Sequence, residues 1–195
     1  AAIARHTNAF KVNEDVVIPL PRMGEYTEGI ERINVELSLR NKLELVQRLQ
    51  ALFSKGALPL GAADDAGEVP SAEILEDRVQ QAQALLAEVG ALWRHWLEQL
   101  DVVQPGESGG SGETCFAMLQ DWRWRASWKT QILKPLQALF AGDAFKPLLA
   151  ECKRLHAEVL RGRTWVALHM HAGDGNVHTN IPVNSDNYAM LQTAH

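Results

Sequence analysis

A segment of twelve residues near the C-terminal end, HMHAGDGNVHTN from His169 to Asn180, constrains the fold of this chain most strongly. Its Asp174-Gly175 pair lies between TWVALHMH and VHTNIPV, two runs rich in β-branched and apolar residues. An Asp-Gly pair between such runs is typical of a β-hairpin with a two-residue turn, because both central residues of that turn need positive φ. The segment therefore predicts two antiparallel strands.

A two-residue turn also predicts the register of the hairpin. His171 would lie directly opposite His178, and His169 directly opposite Asn180, with all four side chains on one face. Opposed residues have Cβ atoms about 4.5–5.5 Å apart, so two such imidazoles can bind one ion, although polar histidines on the solvent face of a hairpin are also common. Zinc normally takes at least three protein ligands, so His169, Asp174 or a residue from elsewhere must complete a site.

The sequence HAGDGNVHTN resembles the H-x-G-D-G-N-x-H-x-N signature of one domain of the FAD-linked oxidases. That domain is the C-terminal, substrate-side half of enzymes that oxidise D-lactate, D-2-hydroxyglutarate and glycolate. The resemblance implies that His171 and His178 are metal ligands, commonly to zinc, and that Asn180 contacts the substrate. His169 is not part of the signature, so we interpret it as a neighbour of the site or a bystander.

A second segment, RHTNAFKVNEDVVIPLPR at residues 5–22, is similar to the segment that opens the same domain. It contains Arg-x-x-Asn-Ala-Phe, an acidic pair and an apolar strand that ends in proline. In relatives the arginine at the position of Arg5 binds the substrate carboxylate, a role that suits a planar guanidinium able to donate two parallel hydrogen bonds. The alternative is an ordinary exposed arginine near a terminus.

Composition excludes several classes of protein. The net charge is −5 and the basic residues are scattered, which is not the pattern of a nucleic-acid-binding surface. No apolar run approaches the roughly 18 residues of a membrane span, so we expect no transmembrane segment. The two cysteines, Cys115 and Cys152, have no metal-binding spacing and are predicted to be small buried side chains in a reducing, cytoplasmic compartment.

The rest of the chain predicts an α+β fold, with a small, mainly antiparallel sheet flanked by several long helices. A short strand is predicted at residues 15–20. Helices are predicted at residues 22–54, 71–100, 114–134, 136–140 and 143–161, with a further helix starting at residue 185. Residues 57–70 and 105–113 have loop composition, the second being rich in Gly and Ser. Trp122, Trp124 and Trp128 are predicted to fill the core and its margin, the alternative being an aromatic cofactor site.

The resemblance implies that residues 1–195 are a single domain, the substrate- and metal-binding half of a larger FAD-linked oxidase. FAD would be bound mainly by a domain outside this chain, since GDGN lies between strands and does not open a helix. In relatives a downstream Glu-His-Gly element supplies the third metal ligand, so the isolated chain is expected to be inactive and to bind metal weakly. The alternative function is a non-catalytic helical interaction module with a structural metal or none.

Overall fold

The structure is a computed structural model that describes residues 9–61, 71–104, 112–171, 175–184 and 188–194. It confirms the α+β fold with a small antiparallel sheet. The strands are β1 (Ala9–Val17), β2 (Ala167–His171) and β3 (Asn176–Asn184). The α-helices are α1 (Met23–Phe53), α2 (Ala72–Glu98), α3 (Cys115–Gln120), α4 (Lys134–Leu139), α5 (Lys146–Arg161) and α6 (Tyr188–Ala194). Within these ranges no helix is long and apolar enough to cross a membrane.

The chain divides into two compact units. Unit 1 comprises Ala1–Ser38 with Gly162–His195, and unit 2 comprises Leu39–Arg161. Among the described residues, unit 1 contains the three strands and unit 2 contains mainly helices. The sequence prediction that residues 1–195 form one domain of a larger enzyme stays a prediction.

Unit 1 is built on the sheet, whose strand order is β1-β3-β2 with both pairs antiparallel. The central strand β3 buries Val177 and Val183, which lie on the same face because strand side chains alternate. The first part of α1 is attached to the chain just before β2 by Asn34. Its amide nitrogen donates to the Val166 carbonyl at 2.8 Å, and its amide oxygen accepts from the Val166 N–H at 2.7 Å. Asn34 thus satisfies both backbone hydrogen-bonding groups of Val166, a residue that is only 9% exposed.

The first strand is longer and earlier than its apolar run suggested. The prediction of residues 15–20 was wrong in its bounds, because β1 covers Ala9–Val17 and Pro19 precedes a 3₁₀ turn at Leu20–Arg22. Asn13 and Asp15 are exposed strand residues, so one face of the strand is polar and apolar content alone missed it. In the strand order β1 lies at an edge of the sheet.

Unit 2 packs its helices around large buried side chains. Ser71 caps α2, its hydroxyl accepting from the Ile74 N–H at 3.4 Å. Gly90 lets α2 approach α1 closely, since a Cβ there would lie 3.1 Å from Val46 Cγ1. The side chains that are at most 2% exposed include Leu45, Leu49, Leu86, Trp93, Ile132, Leu136, Phe140, Phe145 and Leu148.

The two ends of unit 2 are adjacent to each other. The Asn41 amide nitrogen donates to the Val159 carbonyl at 2.9 Å, joining the start of the unit on α1 to its end on α5. The predicted start of this last helix at residue 143 was wrong, because Asp143–Phe145 is a separate 3₁₀ turn and α5 begins at Lys146. The predicted end at Arg161 is confirmed.

The predicted helix at residues 114–134 is interrupted. Helix α3 ends at Gln120, and a π-helical segment, Trp128–Leu133, then leads directly into α4. Between them Trp122 adopts φ of 64°, which a helix cannot contain, and its side chain is 69% exposed. The prediction that Trp122 fills the core was therefore wrong.

The other two tryptophans of this cluster agree with the prediction, because both are half-buried. Trp124 stacks on Trp96 with ring centroids 5.4 Å apart, and Trp128 stacks on His156 at 4.7 Å.

Pro135 lies in the first turn of α4, where its missing N–H costs little, so the chain stays helical there. Residues 62–70 and 105–111, which belong to the predicted loops, lie outside the described residues.

Candidate metal centre

One face of the unit 1 sheet is polar across all three strands. Asp15 on β1 pairs with His178 on β3, which pairs in turn with His169 on β2. The neighbouring row along the strands places Asn13 opposite Asn180. Because directly opposed residues share a face and the face alternates along each strand, all of these side chains lie on the same side.

The predicted register of the hairpin was wrong by two residues, although the predicted face was right. His169 lies opposite His178 and His171 opposite Asn176, whereas His171–His178 and His169–Asn180 had been predicted as opposed pairs. The difference arises because the connection between β2 and β3 contains four residues, 172–175, and not two. A two-residue shift preserves the face of every side chain, so His169, His171, His178 and Asn180 remain on one side of the sheet.

Gly175, the residue before β3, contacts Ile18, the residue after β1. The Ile18 N–H donates to the Gly175 carbonyl at 2.9 Å, which extends the pairing of β1 with β3 by one residue. Gly175 has φ of +71°, and a Cβ there would lie 2.5 Å from the Ile18 carbonyl oxygen. Only glycine combines this backbone angle with so close an approach. The position is thus set by a contact with a strand near the other end of the chain.

The three histidine rings form a triangle on this face. Ring centroids are 5.2 Å apart for His169 and His171, 5.7 Å for His171 and His178, and 6.1 Å for His169 and His178. His169 and His171 are exposed, and His178 is half-buried. The structure therefore brings together the two histidines of the signature and adds His169, which the signature does not contain.

Asp15 is a site residue that the sequence interpretation missed. Its carboxylate oxygen Oδ1 lies 2.6 Å from His178 Nδ1, a hydrogen bond between directly opposed strands. Histidines that bind metals commonly donate their second ring nitrogen to a carboxylate, which orients the ring and leaves the other nitrogen free. The signal in the sequence was the acidic pair at residues 14–15, of which only Asp15 faces the histidines, since Glu14 pairs with Thr179 on the other face.

The donor set suits a divalent metal of the zinc type, because imidazole nitrogen and carboxylate oxygen are its usual ligands. As the side chains stand, no three His, Cys, Asp or Glu residues within the described ranges are placed to hold an ion. The ring centroids nevertheless lie 5.2–6.1 Å apart, and whether three nitrogens can meet one ion depends also on the direction of those nitrogens. That direction depends on side-chain torsions, which exposed residues change readily.

Asn180 is half-buried and lies two positions along β3 from His178, on the same face. This arrangement places a side-chain amide beside the histidines, where it can donate to or accept from a polar ligand. Two other residues considered in the sequence, Arg5 and Asp174, lie outside the described residues.

Both cysteines are buried and unpaired by disulfide. Burial raises the pKa of the Cys152 thiol to about 12, with a smaller contribution from the neighbouring Glu151 carboxylate. Neither cysteine belongs to the polar face of unit 1, so the cysteine thiols are not donors at this candidate site.

Comparison of the chain with protein-family models, with curated proteins and with solved structures gave no significant match. The likeness to the FAD-linked oxidases therefore depends on the residues of the two segments quoted above and on where the structure places them.

Proposed function

We propose that this chain is the substrate- and metal-binding domain of an FAD-dependent dehydrogenase acting on a small 2-hydroxy acid. D-lactate, glycolate and D-2-hydroxyglutarate are the substrates that the sequence likeness suggests. The observation that carries the proposal is that His171, His178 and Asn180, three residues of the signature, share one polar face of the unit 1 sheet. That face combines potential metal ligands with a hydrogen-bonding amide, which is the chemistry needed to hold a hydroxy acid.

His171 and His178 would hold the divalent metal, with zinc the expected ion. When bound, such an ion supplies Lewis acidity that lowers the pKa of a coordinated hydroxyl. The chain's own residues bind and orient the substrate. Asn180 can donate its side-chain amide to a carboxylate oxygen, and Arg5 can make a charge-assisted pair of hydrogen bonds to the same carboxylate.

The proposal assigns the flavin to another domain. FAD would accept the hydride equivalent, and its binding site would belong mainly to a partner domain of the parent polypeptide. The isolated chain is thus expected to purify without flavin absorbance and without turnover. We propose a cytoplasmic location, which is supported by two buried cysteines that do not form a disulfide with each other.

The test uses the 195-residue chain loaded with cobalt, whose visible bands report changes in coordination. D-lactate, glycolate and D-2-hydroxyglutarate are each titrated into the loaded protein, with acetate as a carboxylate that lacks the hydroxyl. We expect at least one hydroxy acid to shift the bands more strongly than acetate, and the Asn180→Ala variant to weaken that response. His95→Ala, which removes an exposed histidine from α2, is the matched control.

Two results would contradict the proposal. The first is a His171→Ala and His178→Ala double variant that binds cobalt as tightly as the unmodified chain. The second is a metal-loaded chain whose spectrum responds to no hydroxy acid, which would favour a structural metal in an interaction module.

A further inference from the structure

We propose that His169 is a third protein ligand, so that three imidazoles from β2 and β3 bind one divalent metal while Asp15 of β1 positions His178. This inference rests on the proposed function, since it completes the same site. The sequence left three sources for the third ligand open, namely His169, Asp174 or a residue from elsewhere. The resemblance favoured a ligand outside the chain and made His169 a neighbour of the site or a bystander.

The distances between the rings support a shared ion. An imidazole bound to zinc at about 2.0–2.1 Å has its ring centroid about 3.2 Å from the ion, so two rings at a tetrahedral angle have centroids about 5 Å apart. The three observed centroid distances are 5.2, 5.7 and 6.1 Å. Each pair therefore lies within about 1 Å of the spacing that one tetrahedral ion requires.

The register explains why three histidines converge. His169 lies directly opposite His178, and His171 lies two residues further along β2 on the same face. Had the predicted two-residue turn formed, His171 would occupy the opposed position and His169 would lie opposite Asn180. The four-residue connection thus places His169 directly opposite His178, with His171 two residues away on the same face.

The remaining adjustment is a rotation of exposed side chains. His169 and His171 are exposed, so their rings can turn about χ1 and χ2 without displacing packed neighbours. His178 has less freedom, because Asp15 holds its Nδ1 at 2.6 Å. This hydrogen bond leaves Nε2 of His178 free to bind the ion. The rings of His169 and His171 then turn toward the ion position that His178 sets.

Three protein ligands have a chemical consequence. Zinc sites with three protein ligands keep a fourth position for water or substrate, whereas structural sites fill all four positions with protein atoms. A three-histidine site on an exposed face would therefore bind an ion within this chain and still present an open position to a small hydroxy acid. Asn180, on the same face, lies beside that position.

The test is calorimetric titration of zinc into the 195-residue chain and its variants. We expect His169→Phe, which keeps a flat ring without a donor nitrogen, to weaken zinc binding by about 100-fold or more. Asp15→Asn should weaken it by roughly 10–100-fold, the usual effect of losing an orienting partner. His95→Ala should bind zinc as the unmodified chain does. In the ¹⁵N spectrum of the histidine side chains, one equivalent of zinc should shift three rings of unit 1.

The outcomes separate this inference from the proposed function. If His169→Phe binds zinc as tightly as the unmodified chain while the His171→Ala and His178→Ala double variant does not, His169 is not a ligand and the proposed function stands. If three rings shift and His169→Phe loses zinc but no hydroxy acid perturbs the cobalt spectrum, the three-histidine site is correct and the proposed function is wrong. Circular dichroism of each variant, and His169→Gln as a second substitution, separate loss of a ligand from loss of folding.

Discussion

Replacing Gly175 with alanine should destabilise unit 1, because two independent features of this position exclude a side chain. The φ of +71° lies in the left-handed region, where a Cβ costs roughly 1–2 kcal/mol. The new Cβ would also lie 2.5 Å from the Ile18 carbonyl oxygen, which is closer than a carbon and an oxygen can approach.

Relieving that contact must move Gly175 away from Ile18. The movement lengthens the hydrogen bond from the Ile18 N–H to the Gly175 carbonyl, which is 2.9 Å long. Loss of such a bond costs about 0.5–1.5 kcal/mol. Together with the backbone strain, the free energy of unfolding should fall by about 2–3 kcal/mol.

Urea unfolding followed by circular dichroism measures this change, and amide hydrogen exchange of β3 locates it. Gly29→Ala is the control, because Gly29 is an exposed residue of α1 with no atom within 4 Å of a new Cβ. That substitution should stabilise the helix by roughly 0.5–1 kcal/mol. A Gly175→Asn variant tolerates the backbone angle better than alanine but keeps the Cβ, so it isolates the contribution of the close contact.

The reasoning fails if Gly175→Ala unfolds at the same urea concentration as the unmodified chain and the β3 amides exchange at unchanged rates. A loss of stability in Gly29→Ala equal to that in Gly175→Ala would also contradict it, because the effect would then not depend on the Ile18 contact.

Three further predictions concern unit 2. Gln131→Met should lower the free energy of unfolding by about 1–3 kcal/mol, because it leaves the Trp93 ring N–H and the Ser127 N–H without their shared acceptor. Urea unfolding measures this change, and unchanged stability would contradict the prediction. Burial lowers the pKa of His156, with a smaller effect of Lys42, so the folded state favours neutral imidazole. Stability should therefore fall as pH drops below about 6.5, and this part of the pH dependence should be absent in His156→Gln. Because burial raises the pKa of Cys152 to about 12, its thiol should react with a disulfide reagent near neutral pH only after unfolding.

The helices could be predicted well because their signals are local. Apolar spacing predicted residues 22–54, and α1 covers Met23–Phe53. Ser71 is the N-cap of α2 because its hydroxyl can reach the third following N–H, which depends on no other part of the chain. Trp122 was misplaced because its backbone leaves the helix, and the spacing of aromatic residues does not report that change.

The site could be predicted only in part, because its geometry depends on a strand distant in sequence. The shared face of His171, His178 and Asn180 follows from strand alternation and was correct. The register predicted from the local Asp-Gly pair was wrong, because the connection between β2 and β3 contains four residues. Asp15 was missed because nothing near the signature indicates that β1 lies beside β3.

The hydrogen bond between Asn41 and Val159 has a consequence for the order of folding. Asp15 and His178 are separated by 163 positions, and closing a flexible loop of that length costs roughly 3 kcal/mol more than closing the four-residue hairpin connection. Unit 2 lies between them in sequence, and when it folds it brings its own two ends together at Asn41 and Val159. The helical unit thereby removes most of the chain length that β1 and β3 must span to meet. Damage to the core of unit 2 should therefore delay assembly of the three-stranded sheet, although the candidate metal centre is formed by unit 1 residues.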